Sequence, residues 1–450
     1  MTKTKQRRSH GATIKVLAVA IGAVGSTASQ AAAFQLLEGN ASGLGNAYAG
    51  SAAVAEDAST VFFNPAGMTL LPGRNVAFSV DLVRPSAKFD NQGSTAAALQ
   101  GVGTNGSDAG DWAAVPAGYV TWQLTDTITF GLGLGAPFGL KTEYTPEWVG
   151  RFHALKSEIK TINVNPSLAF KVTDKLSVGV GVNFQRIEAD LTSLVNYSAV
   201  IAQATFNGTI IPGVAGRARI EGDDTAWGWN IGLLYQISPD TRLGFAYRSK
   251  VDYKLKGTAS FAGANSGDVV GNAVIAGFNG QRSGNVTADV ELPDVATFSV
   301  HQRISDRWTM LGDISWTGWS SLQELRVNNV NGTNVTTEEL RWRDTWRVAF
   351  GGTYAYTDAL SLKFGLAWDQ TPVRDTTRLP RVPDEDRVWL SLGLQWRPNA
   401  TSAVDVGYAH LFVKDASVNN NGGNAPAKGT LVGEYENSVD ILGVQYSTRF

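Results

Sequence analysis

The sequence predicts an all-β chain: a transmembrane antiparallel β-barrel of about 14 strands over residues 73–450, a small α-rich hatch plug at 32–72 and a signal peptide at 1–31. Three observations carry this. From about Asn75 onward, apolar and aromatic residues recur at every second position with small or polar residues between them. Short polar turns alternate with long connections, and each turn is flanked by alternating runs of about ten residues, the length a tilted strand needs to cross a bilayer. No apolar run of about 18 residues occurs, so no helical span competes.

The elements follow in chain order. Lys3, Lys5, Arg7, Arg8 and Lys15 form a basic head, Val16 to Val24 a short apolar core, and Gly25 to Ala33 a small, polar tail. This is the layout of a secretory signal, with cleavage expected between Ala31 and Phe34. Removing the head leaves 33 basic against 40 acidic residues, a poor balance for binding nucleic acid. Phe34 to about Pro72 is rich in Ala, Gly and Ser, contains Asn64-Pro65-Ala66-Gly67 and lacks alternation, so it reads as short helices and turns.

The strands then declare themselves by parity. Leu442, Val444, Tyr446, Thr448 and Phe450 share one face, with Gly443, Gln445, Ser447 and Arg449 opposite. Val388, Leu390, Leu392, Leu394 and Trp396 alternate with Arg387, Trp389, Ser391, Gly393 and Gln395. Val178, Val180, Val182 and Phe184 alternate with Gly179, Gly181, Asn183 and Gln185. An apolar, aromatic face against a small, weakly charged one fits lipid outside and lumen inside better than a soluble sandwich, whose polar face carries more Lys and Glu. Turns at Thr125-Asp126, Thr173-Asp174-Lys175, Ser238-Pro239-Asp240, Ser305-Asp306, Thr357-Asp358 and Pro398-Asn399 separate the hairpins. Longer connections are expected at roughly 86–113, 139–157, 190–224, 254–288, 317–340, 370–385 and 413–436, with both chain ends on the short-turn side. Such a sheet must close, because an open edge leaves backbone groups unpaired in hydrocarbon. Phe450 ends an alternating strand, a further sign of an outer-membrane barrel; outer-membrane lipid and the barrel assembly machinery are the expected partners, and a monomer the expected state. A barrel this wide is not filled by its own side chains, so it is either a pore or plugged, and 32–72 is the right size for a plug.

The string from Ser42 to Gly67, SGLGNAYAGSAAVAEDASTVFFNPAG, follows Phe34-Gln35-Leu36. Further on come Trp148-Val149-Gly150-Arg151-Phe152-His153-Ala154-Leu155, Trp227-Gly228-Trp229-Asn230, Tyr247-Arg248-Ser249 and Pro383-Asp384-Glu385-Asp386-Arg387. Together these resemble the long-chain fatty acid and hydrocarbon transporters of the Gram-negative outer membrane (the FadL/TodX family), in matching order over nearly the whole mature chain. The resemblance implies a fourteen-stranded barrel with an N-terminal hatch, capture of a hydrophobic small molecule between two extracellular loops, an interior pocket, and a kinked third strand that opens the wall toward lipid. It implies passive uptake without a cofactor.

Against those expectations the candidate residues are few. Gly135, Pro137 and Gly139 lie in the third strand, where Pro cannot donate to a ladder and glycines bend easily; the plainer account is that Pro137 merely ends a strand in a crowded lumen. Apolar residues in two long loops, among them Ile201, Ile210, Phe261 and Phe278, suggest either a greasy capture surface or a self-packed cap. Parity puts Trp342 and Trp346 outward and Arg343 and Arg347 inward, where a cation would pair with a fatty carboxylate or with lumen acids such as Asp313 and Asp369. The resemblance implies that Phe34, near the new N-terminus, inserts into the pocket and yields to ligand; the plainer account is an anchor that holds the hatch in place. Asn64, Pro65 and Ala66 are expected to shape the hatch.

Other functions fit less well. Zero Cys excludes disulfides, thiolate metal sites, iron–sulfur clusters and a lipid-bearing cysteine. His153, His301 and His410 show no triad spacing and are too scattered for a metal site, so no catalytic residue, metal or cofactor is assigned. A general aqueous porin is the alternative, and aromatic hydrocarbon uptake the alternative within the family. The expected location is the Gram-negative outer membrane.

Overall fold

The computed structural model describes residues 33–450; the expected signal peptide, 1–31, lies outside the described residues. Among these residues fourteen antiparallel strands form the wall. They are β1 (Arg74–Asn91), β2 (Ala113–Gln123), β3 (Ile128–Gly135, continued by Gly139–Glu143), β4 (Lys156–Lys171), β5 (Leu176–Asn196), β6 (Ala215–Gln236) and β7 (Thr241–Arg248, continued by Val251–Ala262). There follow β8 (Gly284–Leu292, continued by Val295–Arg303), β9 (Trp308–Thr317), β10 (Thr345–Ala355), β11 (Leu360–Asp369), β12 (Arg387–Asn399), β13 (Ser402–Val413) and β14 (Leu431–Arg449). Each pairs with the next, and β1 pairs with β14 from Asn75↔Arg449 to Asn91↔Gly433, which closes the barrel. A shorter hairpin, Glu324–Asn329 with Asn334–Glu339, stands in the loop after β9.

The faces fall as the alternation requires. Val388, Leu392, Leu442 and Val444 are exposed outward, while Ser391, Gln445 and Trp389 are buried inward. Trp122, Tyr235, Trp308, Trp396 and Tyr446 ring the wall near the short turns, and Trp227, Trp229, Trp346 and Trp368 ring it near the long loops, as aromatic side chains do at the two membrane interfaces.

Residues 33–72 plug the lumen with the short helices Ala41–Leu44 and Thr60–Phe63 and a 3-10 turn, Pro65–Leu70. Many inward glycines find their reason here. A Cβ on Gly244 would collide with the Ala52 carbonyl, one on Gly179 with the Ala66 nitrogen and one on Gly365 with the Asn46 backbone. The plug therefore lies backbone-to-wall, which only residues without a side chain permit.

Two expectations are corrected. Strands β5, β6 and β7 run past the limits expected for the loops at 190–224 and 254–288, leaving 197–214 and 263–283 outside strands. Above the outer aromatic ring the barrel inverts. Arg186, Glu188, Arg219, Glu221, Lys254 and Lys256 face outward to water, and Ile187, Leu255 and Val286 face inward. The period of two persists there, but its apolar phase has changed sides. Trp342 is buried at 3%, not lipid-facing, because β10 begins only at Thr345 and the preceding residues turn over the lumen.

Candidate functional site

The site begins with a break in β3. Pro137 has no N–H, and residues 136–138 leave the ladder between Gly135↔Asn163 and Gly139↔Lys160. Thr161 of β4 substitutes for the lost pairing: its Oγ1 accepts from Phe138 N at 2.9 Å and donates to the Phe138 carbonyl at 2.7 Å. On the other side, β2 pairs with β3 only from Gly118↔Leu134 to Gln123↔Thr129. Residues 113–117 of β2 thus have no β3 partner, and the wall is open to that extent. This is where the structure places Gly135, Pro137 and Gly139.

The inturned segment holds the N-terminal tail. Leu36 N donates to the Pro137 carbonyl and Gly139 N to the Phe34 carbonyl, each at 2.8 Å. Ala33 N donates to Asp384 Oδ2 at 2.8 Å, and Asp384 also pairs with Arg387. The Pro383–Arg387 motif is thus a clamp on the tail. Phe34 is carried into the lumen, where its ring lies 4.9 Å from that of Trp319, 5.7 Å from Trp342 and 6.0 Å from Phe138, centroid to centroid.

Phe34 borders an apolar cavity lined by Leu140, Ile187, Leu255, Val290 and Trp342. Its polar lining, including Ser157, Glu338 and Arg381, is sparse. Above it, helices α1 (Tyr197–Ala204) and α2 (Val269–Arg282) pack on each other through Tyr197, Ile201, Ile275 and Phe278. They leave Phe206, Ile210, Val269 and Val270 exposed, so the loops form both a self-packed cap and a greasy surface. The roof includes Trp148, stacked on Tyr144 at 4.0 Å, and the buried His153, whose imidazole burial pushes down to about 3 and so keeps neutral.

A second cavity lies on the hatch side of the tail, bounded by Gln35, Pro137, Tyr48 and Phe62. Two arginines face it. Arg347 donates to the Ala47 carbonyl at 2.6 Å and lies 5.2 Å from the Trp389 ring centroid. Arg248 donates to the Phe62 carbonyl at 2.8 Å and to Asn183, over the Phe62 ring. Both are held by carbonyls and rings, and Arg347 also lies within electrostatic reach of the buried Asp313 carboxylate, with Asp369 on the same cavity. Arg343 donates to the Thr371 carbonyl at 3.2 Å on the rim and lines neither cavity.

The hatch residues serve its shape. Asn64 Oδ1 accepts from Ala66 N at 3.0 Å, capping the turn that Pro65 starts, while Nδ2 donates to the Ala52 and Leu233 carbonyls at 2.6 and 3.0 Å. Sequence reasoning missed the strongest tether: buried Lys363 contacts the Ser42 carbonyl, Glu56 and Asp405 at 3.0, 3.0 and 3.2 Å. A lone lysine at an inward position between Ser361 and Gly365 was the available signal.

Comparison with known proteins fits this geometry. The sequence pattern of the family described as "Outer membrane protein transport protein (OMPP1/FadL/TodX)" matches residues 22–450. The chain is 30% identical over 410 residues to the long-chain fatty acid transport protein of Escherichia coli O6:H1, covering 89% of this chain and 91% of that one. It is 31% identical over 409 residues to outer membrane protein P1 of Haemophilus influenzae, covering 85% and 86%. Among solved structures, a Pseudomonas aeruginosa FadL homologue superposes with a TM-score of 0.86 at 27% identity over 93% of this chain and all of that one. The Pseudomonas putida toluene transporter TodX superposes with a TM-score of 0.69 at 20% identity over 92% and 99%, a likeness of fold.

Proposed function

Because the chain belongs to the OMPP1/FadL/TodX family of outer-membrane transport proteins, we propose that it takes up long-chain fatty acids, or related hydrophobic small molecules, passively across the Gram-negative outer membrane. The observation that carries this reading is the apolar cavity ending on Phe34, enclosed in a plugged barrel beside a break in the wall.

Ligand leaves water at Phe206 and Ile210, in the loop after α1, and at Val269 and Val270 of α2, and moves into the cavity. Each buried CH₂ contributes about 0.8 kcal/mol, so a long tail binds through its length. To go further it displaces the Phe34 ring. Arg347 and Arg248 then face a carboxylate in the hatch-side cavity, while Arg343 receives it at the rim. The unpaired stretch of β2 lets a hydrocarbon chain pass between strands into the bilayer, so release does not require the hatch to leave. Asn64, Pro65 and Ala66 keep the hatch seated, which disfavours a general aqueous pore. An aromatic hydrocarbon fits the same apolar cavity without the arginines.

The test is uptake of labelled oleate and labelled toluene by cells lacking their own transporter, each competed with the other, with planar-bilayer conductance alongside. Oleate uptake that toluene competes weakly, without large steady conductance, is the expected outcome. A large open current, or uptake of neither compound, overturns the reading.

A further inference from the structure

The β6–β7 seam is built unlike its neighbours. Near the short turns, ladder pairs run from Asn230↔Arg248 to Gln236↔Arg242; near the loops they run from Arg217↔Ala262 to Asp223↔Lys256. Between these, residues 224–229 of β6 face 249–255 of β7 without a ladder pair. Over the same stretch β6 stays paired with β5, from Asp224↔Ile187 to Trp229↔Val182, so the interruption belongs to the wall and not to the strand. Seven residues of β7, 249–255, face six of β6, 224–229, so one extra residue near Ser249 and Lys250 shifts the phase of β7, as a bulge does.

Side chains stand in for the missing ladder. Ser249 N donates to the Trp229 carbonyl at 2.9 Å, and Ser249 Oγ accepts from Trp229 N at 2.9 Å. Asp224 Oδ2 accepts from Lys254 N at 2.7 Å. On the lumen side, the Tyr253 hydroxyl donates to Gln185 Oε1 at 2.6 Å, so this side chain spans from β7 to β5 past the small inward residues Ala226 and Gly228. On the lipid side, Trp227 and Trp229 are 66% and 53% exposed and mark the outer interface. Val251 and Tyr253 belong to the same buried cluster as Phe34 and Trp319. Leu255, at the loop end of the seam, lines the Phe34 cavity, and Val251 and Tyr253 pack beside it in the same cluster, so the latched seam borders the cavity at that end.

We propose that this seam is a lateral port through which hydrocarbon-chain molecules already dissolved in the outer leaflet reach the Phe34 cavity, a route separate from capture by the loops. Opening it breaks a few hydrogen bonds and leaves the β5–β6 ladder whole, while β7 stays paired with β8 on both sides of a gap at 249–250 and 293–294. The chemistry of the seam suits a chain and not a head: Trp227, Val251 and the bare Gly228 edge it, while Lys250 and Asp252 stand outside at the interface to keep a polar head there. The port rests on the reading of the Phe34 cavity as the ligand site.

The chain has no cysteine, so an introduced pair is unambiguous. A Cβ on Gly228 would lie 3.1 Å from Ser249 Oγ and 3.0 Å from a Val251 methyl, which puts Gly228→Cys and Ser249→Cys within bonding reach. The full-length protein carrying both is placed in liposomes whose bilayer contains a diazirine-bearing alkane, irradiated, and mapped by mass spectrometry at Phe34, Val251 and Leu255. Oxidation is expected to lower lumen labelling about tenfold and reduction to restore it, with no redox dependence in either single variant. A second variant, Tyr253→Phe, removes the Gln185 bond and is expected to speed labelling roughly fivefold, the worth of one hydrogen bond. Unchanged labelling in both variants overturns the port. A diazirine fatty acid supplied from water on albumin separates the two readings. It is expected to label the cavity equally in oxidised and reduced protein. Oxidation that blocks both probes overturns a separate route, and failure of the water-borne probe to label the cavity of the unsubstituted protein overturns the proposed function and the port with it.

Discussion

Replacing Phe34 by Ala tests whether its ring is a stopper or a wall of the site. The ring is buried to 3% exposure against Trp319, Trp342 and Phe138. Burying a Phe side chain contributes about 2–3 kcal/mol. The tail itself stays in place, because its hydrogen bonds to Pro137 and Gly139 are made by the backbone and survive the substitution. A ligand that must displace the ring gives up that burial when it binds; in the variant it does not. The expected outcome is tighter binding by about 2 kcal/mol, close to a thirty-fold lower Kd. The assay is titration of a fluorescent long-chain fatty acid into protein held in nanodiscs, since detergent tails compete for the same cavity. Unchanged or weaker affinity refutes displacement and makes Phe34 part of the binding surface.

Three further outcomes are expected. Gly135 and Ala117 face each other at the edge of the β2–β3 opening, with a Cβ on Gly135 lying 3.8 Å from the Ala117 Cβ, close to the mean disulfide spacing of about 3.8 Å; the oxidised Ala117→Cys/Gly135→Cys variant should release fatty acid into liposome membranes at least about tenfold more slowly than the reduced form, and equal rates would argue against lateral release. Gly244→Val should push the Ala52 backbone off the wall and loosen the hatch, seen as greater proteolysis of residues 33–72 and intermittent current in planar bilayers; a silent, protease-resistant variant would contradict the backbone-to-wall contact. His153 is depressed to about 3 in the folded loop, so its stabilising effect is complete above about 6.5 and is lost as pH falls toward 3, amounting to roughly 3 kcal/mol at about pH 4. Hydrogen exchange of residues 144–155 and 421–430 should rise over that window, and His153→Gln should flatten the rise.

Much of the fold was legible because bilayer hydrocarbon and a plugged lumen impose opposite demands on alternate residues. Leu442, Val444 and Tyr446 could only face lipid, and Gly443 and Gln445 only the lumen. The reading failed above the membrane, at residues 190–196, 215–224 and 254–262, where water outside and a hydrophobic cavity inside reverse the phase, so charged outward strands look like loops. Phe34 and the β3 break were visible locally, the first as an aromatic beside a cleavage site and the second as Pro among glycines. Arg248 entered only within the Tyr247-Arg248-Ser249 motif, without a role, and Tyr253 not at all, because nothing near them in sequence distinguishes a lumen cation or a latch from an ordinary strand residue.

By itself the sequence determined the strand count, the inside and outside of each membrane-crossing strand, the closure of the sheet and the presence of a plug, since each follows from a local period or from the cost of an unpaired edge in hydrocarbon. Only the tertiary structure decided which residues meet inside: that Phe34 lies between Trp319 and Trp342, that Lys363 ties Glu56 to Asp405, and that the wall loses ladder pairs beside β3 and between β6 and β7. Those partners lie up to about three hundred residues apart, as Phe34 and Trp342 do, and are brought together by barrel register and hatch docking, which no local pattern encodes.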